Sequence, residues 1–185
     1  MLRAVLFCLS LATLSIPSAR AAGSLDIKVQ RTHAETGAFF DIRASGFARA
    51  PLEHVWQVLT DYQRQAEYVP NLTGARIISR SGSEVLLDQN GNGGFFFFKR
   101  AVHLQVRVVE TPKSIIEVGL VSGDMKRYSA RWQLTPTELN GESGTRIDYA
   151  GSLEPDFFVP PLIGNAIVQN DIRKMLAAVI DELEK

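Results

Sequence analysis

The chain has 185 residues, with 20 Lys and Arg against 20 Asp and Glu. That balance leaves no electrostatic footprint for nucleic acid. A single cysteine, Cys8, rules out an internal disulfide, so a domain of this length must be held together by burial.

The first residues, "MLRAVLFCLSLATLSIPSARAA", combine an early cation at Arg3, an uncharged apolar run over 4–16 and a small-residue site at Ala19-Arg20-Ala21. This predicts a bacterial secretory signal peptide over 1–21, cut after Ala21. The apolar run is too short to span a bilayer, and no later stretch approaches the roughly 20 apolar residues a membrane helix needs. The expectation is a soluble chain, periplasmic or secreted, with one domain over 22–185. Cys8 leaves with the signal.

In chain order, Leu25, Ile27 and Val29 alternate with Asp26, Lys28 and Gln30, and after a Thr36-Gly37 turn Phe40, Ile42 and Ala44 alternate with polar residues. These predict a hairpin. "APLEHVWQVLTDY" changes the period: Leu52, Val55, Trp56 and Leu59 fall at helical spacing, with Pro51 suited to the first turn, and the helix ends near Tyr62. From Gly74 the pattern is an antiparallel meander, with strands over 75–80, 84–89, 95–109, 114–121, 126–135 and 145–153. The predicted breaks are Ser81-Gly82-Ser83, the glycine-rich "GNGG", Thr111-Pro112, Ser122-Gly123-Asp124 and Asn140-Gly141. After Pro160-Pro161, Ile172, Met175, Leu176, Val179, Ile180 and Leu183 recur as one apolar stripe of a long closing helix. Strands followed by a helix, with no repeat or linker, predict a single α+β domain.

Motifs for chemistry are sparse. His33, His54 and His103 have no paired ligand spacing, so no metal site is expected. "GNGG" precedes a strand, lacks the helix N-terminus that binds phosphate, and reads as a turn. No nucleophile elbow or cofactor fingerprint occurs. Asn71-Leu72-Thr73 matches a glycosylation pattern by chance in a bacterial chain.

Two segments carry a resemblance over essentially all of the mature chain. "VWQVLTDYQRQAEYVPNLTGARIISRSGSEVLLDQNG" resembles the opening of the START-like (SRPBCC) proteins grouped as polyketide cyclase/dehydrase and coenzyme Q-binding proteins. "PDFFVPPLIGNAIVQNDIRKMLAAVIDELEK" is similar to their closing helix, and Asp61-Tyr62, Pro70-Asn71 and Pro160-Pro161 are the most recognisable points. The resemblance implies the helix-grip fold, START-like and birch-pollen-allergen-like. In that fold a curved antiparallel sheet wraps the last helix and encloses an apolar cavity for lipids, quinones, sterols or polyketides. Some members catalyse reactions on them.

Strand parity then names candidate walls. Counting from Phe96 and Phe98 places Arg100, Val102 and Leu104 on the inward face, with Val106 and Val108 beyond them. Arg100 either anchors a ligand head group or turns outward through a bulge or by snorkelling at the strand end. Later strands add Ile116, Val118 and Leu120, then Tyr128 and Trp132, then Ile147 and Tyr149, roofed by Ile163, Ile167, Ile172 and Leu176. Tyr68, Val69 and Leu72 form the cavity entrance or a plain corner from helix to strand. Phe95 and Phe97, on the outward parity, form a hydrophobic lip there or are covered by other chain.

These faces are apolar or aromatic, with no inward acid or histidine, so the expectation is a non-catalytic carrier of a hydrophobic small molecule, a lipid or an isoprenoid quinone. It would be monomeric, cofactor-free and in transient contact with membranes. The alternatives are a cyclase/dehydrase-type enzyme, which needs a positioned acid or base, and an interaction module whose cavity is filled by its own aromatics.

Overall fold

A computed structural model describes residues 25–34, 37–95, 98–159 and 162–185. The elements run β1 (Asp26–Ala34), β2 (Gly37–Ala48), α1 (Leu52–Thr60), α2 (Gln65–Tyr68), β3 (Leu72–Ser81), β4 (Glu84–Phe95), β5 (Phe98–Thr111), β6 (Ile115–Gly123), β7 (Met125–Leu139), β8 (Glu142–Pro155) and α3 (Gly164–Leu183). All the strands join one curved antiparallel sheet in the order β1-β2-β8-β7-β6-β5-β4-β3. This is the helix-grip fold, with α3 gripped by the sheet.

The topology follows from local signals. β3 to β8 form a meander of neighbours, and β2 pairs with β8 through Phe40 opposite Leu153 and Ala44 opposite Tyr149. The chain must therefore cross from β2 to β3 at the far edge, and α1 and α2 make that crossing. Asn140 and Gly141, at φ of 53° and 81°, supply the two successive left-handed residues that a tight β7–β8 hairpin requires.

Alternation puts Phe40, Ile42, Val85, Leu87, Val106, Val108 and Ile147 inside, all nearly or fully buried. Ile172, Leu176, Val179 and Ile180 bring the stripe of α3 against them. Small residues set how near the helix comes. A side chain on Gly46 of β2 would meet Ile180 Cδ1 at 2.9 Å and Leu25 Cδ2 at 2.8 Å.

Expectations change at the glycine-rich segment and in the crossover. "GNGG" is not a turn: Gly91 to Gly94 lie inside β4, which pairs with β5 down to Phe95 opposite Phe98. The reason for glycine there is close approach. The Asn71 carbonyl accepts from Asn92 N–H at 2.8 Å, and a Cβ on Gly91 would stand 2.6 Å from that oxygen. The phenylalanine run therefore does not lie within one strand, since β4 ends at Phe95 and β5 starts at Phe98. The crossover also holds a second, one-turn helix, α2. Its first residue donates from the Gln65 side chain to the Leu59 carbonyl at 2.9 Å, folding the turn back on α1. Finally, α3 starts at Gly164, and Pro160-Pro161 lie outside the described residues.

Candidate functional site

Between α1, α2, α3 and the middle of the sheet lies a cavity of about 150 Å³. Leu59 and Tyr62 close it from the end of α1, and Gln65, Tyr68 and Val69 from α2 and its exit. Leu72, Leu87, Gln89 and Val108 come from β3, β4 and β5; Ile116, Val118, Tyr128 and Trp132 come from β6 and β7; and Met175 and Val179 descend from α3. Each strand contributes alternate residues because one face of the pleat looks inward. The helix contributes an i, i+4 pair because those positions share one side.

The polar groups on this wall fall into two sets. Tyr62, Gln65 and Tyr68 are already engaged: Tyr62 donates to Glu110 at 2.7 Å, Gln65 to the Leu59 carbonyl, and Tyr68 to the Val58 carbonyl at 3.2 Å. The side chains of Tyr128, Trp132 and Gln89 make no hydrogen bond to any described residue. Trp132 is held edge-on against Tyr149, with ring centroids 4.9 Å apart and an interplanar angle of 71°. A side chain on Gly151 would meet the Tyr149 hydroxyl at 2.8 Å, so glycine makes room for that ring.

Burial raises the Tyr128 hydroxyl above the ordinary tyrosine range, and it raises Tyr149 well above it, with Tyr128 adding to the shift. Tyr62 is raised first by burial and then by its hydrogen bond to Glu110; Tyr68 is raised by burial and by Glu182. All four stay protonated at neutral pH, as hydrogen-bond donors rather than bases. Among the described wall residues there is no Asp, Glu, His, Lys or Arg. No group of three or more His, Cys, Asp or Glu among the described residues is arranged to hold a metal.

A larger hollow of about 430 Å³ lies on the opposite face of the sheet, bordered by Asp26, Lys28, Arg43, Arg131 and Asp148. It is an open dish among charges, unsuited to an apolar ligand. The interior cavity is the candidate site.

Of the residues picked out by sequence, Ile116, Val118, Tyr128, Trp132, Tyr68, Val69 and Leu72 meet around this cavity. Val102 and Ile147 are buried in the core beside it, and Leu104 and Leu120 are half-buried on the same face of the sheet. Tyr149, Ile172 and Leu176 belong to a second packed cluster under β1 and β2. Ile167 is half-buried near the start of α3, and Ile163 is exposed at its N-cap. Arg100 is not an inward anchor. It sits at the outer end of β5, exposed, with its guanidinium 5.5 Å from the Phe157 ring centroid and 4.0 Å from Asp124. Phe96, Phe97 and the side chains of Phe95 and Phe98 lie outside the described residues.

Sequence reasoning missed Leu59, Tyr62, Gln65, Leu87, Gln89, Val108, Met175 and Val179. Val108 lies on the inward face read for its strand, Met175 and Val179 sit on the recognised stripe, and Leu87 belongs to a strand whose faces the sequence left unassigned. A stripe does not say which flank of a helix looks into space.

Solved structures place the fold. The chain resembles the STAR-related lipid transfer protein from Xanthomonas axonopodis (17% identity, TM-score 0.64, covering 88% of this chain and 98% of that one). It also resembles the Zhui aromatase/cyclase from Streptomyces sp. R1128 (15% identity, TM-score 0.63, 78% and 93%) and a START superfamily protein from Mycobacterium smegmatis (15% identity, TM-score 0.63, 77% and 96%). No curated protein matches the chain by sequence. Residues 49–180 match the family model described as polyketide cyclase / dehydrase and lipid transport, and the chain belongs to that family.

Proposed function

We propose that this protein is an exported, non-catalytic carrier that holds a hydrophobic small molecule, a lipid or an isoprenoid quinone, between α2, α3 and the sheet. The observation that carries the reading is the wall itself. Apolar side chains surround a few unpartnered polar groups, and no acid, base or metal-binding cluster stands among its described residues. Proton transfer would need such a group within hydrogen-bond reach of the ligand, whereas retention needs only apolar area and a few polar anchors.

The family description includes lipid transport, and one structural neighbour is named as a lipid transfer protein, which supports the same reading. The cavity volume of about 150 Å³ lies below the roughly 300 Å³ at which ligand pockets usually begin, so a long ligand lodges one end here and extends beyond it. Export rests on the N-terminal sequence. Exchange by brief membrane contact is supported by Phe158 and Leu162, which are 81% and 98% exposed.

Incubating the purified protein with quinones, phospholipids and polyketide chains, and following both bound mass and product by mass spectrometry, tests the proposal. The expected result is ligand released unchanged, with Tyr68→Ala weakening uptake more than it lowers the melting temperature. A product formed in proportion to protein would replace the carrier with an enzyme of the cyclase/dehydrase type.

A further inference from the structure

We infer that the cavity selects uncharged ligands that carry an oxygen acceptor, such as a ketone or quinone carbonyl, and rejects fatty acids and other anions of the same size. The inference rests on the carrier reading and narrows it to a chemical class.

Three observations lead there. The described wall contains no cation, so an entering carboxylate would lose its water and gain no opposite charge. The carboxylates behind the wall are already paired with cations. Glu110, behind Tyr62, accepts from that hydroxyl at 2.7 Å and from Arg80 at 3.1 and 3.2 Å. Glu182, beside Tyr68, is held by Arg64 and Lys185, and His54 and Asp61 lie in the same electrostatic neighbourhood. Arg64, Arg80 and Lys185 are thus paired with protein carboxylates, Arg80 behind the Tyr62 ring, and none of them stands in the wall to meet an anion.

The unpartnered groups supply the positive half of the argument. The Tyr128 hydroxyl and the Trp132 indole N–H are donors, and the Gln89 amide offers both donor and acceptor. Two fixed donors without partners match a carbonyl or ether oxygen. A pure hydrocarbon would leave them unsatisfied.

The size of the discrimination follows from protonation. A carboxylic acid with a glutamate-like pKa of about 4.3 enters such a wall only as its neutral form, a loss of roughly 500-fold at pH 7 that shrinks about tenfold for each unit the pH falls. A ketone pays no such penalty, so its affinity stays flat with pH.

The test is calorimetric titration of the full chain with 2-decanone and, separately, decanoate, from pH 7 down to pH 5, with folding followed by circular dichroism. The expected result is a ketone affinity at pH 7 at least about 100-fold above that of the acid, with the acid recovering as pH falls. Tyr128→Phe and Gln89→Leu should each weaken the ketone by about 2- to 12-fold, the span of one net hydrogen bond. Equal affinity for the two probes at pH 7, with no pH dependence for decanoate, would overturn the selectivity and leave a hydrophobic carrier standing. Binding of neither probe would overturn the carrier reading and this inference with it.

Discussion

The two flanks of α3 meet the same sheet in different ways. On the flank carrying Ile172 and Leu176, the helix settles onto β1 and β2 in one buried cluster with Ile27, Ile42, Ala44 and Tyr149. On the flank carrying Met175 and Val179, the sheet answers with Leu87, Val108, Ile116 and Val118, and space remains. Gly46 and Ala44 let the helix come down on β2, whereas over the middle strands it stands off. One helix therefore seals one half of the molecule and roofs a cavity in the other.

Leu176, 1% exposed, anchors the sealed flank, and Leu176→Ala should cost about 2 to 5 kcal/mol of stability by chemical denaturation, with ligand affinity altered only as far as the fold is lost. Added bulk separates the flanks more sharply. Ala44→Leu, under the helix, should cost about 1 to 3 kcal/mol by overpacking. Val118→Phe, on the cavity wall, should leave the melting temperature nearly unchanged and lower ligand affinity at least about tenfold, because the new ring takes the ligand's place. Equal destabilisation by the two substitutions would mean that the flanks do not differ.

A third comparison uses pH. Glu182, near the C-terminal end of α3, is held below its usual range first by the hydrogen bond from Lys185, with Lys185 and Arg64 adding charge attraction. Its folded value is thus depressed, so its contribution to stability is fully present above the unfolded value of 4.5 and is lost as pH falls through the folded one. Glu182→Gln should flatten the acid limb of a stability profile. Asp88, lowered mainly by its hydrogen bond from Arg76, keeps the remaining slope. An unchanged acid limb would show that the Glu182 carboxylate, with its Lys185 and Arg64 partners, does not contribute to the pH dependence. The smallest effect belongs to Arg100→Ala. An exposed guanidinium over Phe157 should be worth under about 1 kcal/mol, and ligand affinity should not change.

Most strands were legible because alternation survives in a sheet with one wet face: Tyr128, Ala130, Trp132 and Leu134 point inward as their spacing requires. The failures have physical causes. Glycine marks either a turn or a close backbone approach, and only the Asn71 carbonyl shows that Gly91 is the second kind. Arg100 had inward parity, yet parity does not say how far along a strand the roof extends. α2 has a single turn, too short to leave a period. Gln89 and Gln65, whose amides complete the site, look like ordinary polar residues until the fold aims them at one cavity.

Native mass spectrometry of protein gently purified from its own cells, run beside its Val118→Phe variant, tests the central claim most directly. The account predicts an added mass from a neutral hydrophobic molecule on the native chain, absent from the variant. An identical mass for both, equal to the bare chain, or the same adduct on both, would contradict the cavity as the ligand site.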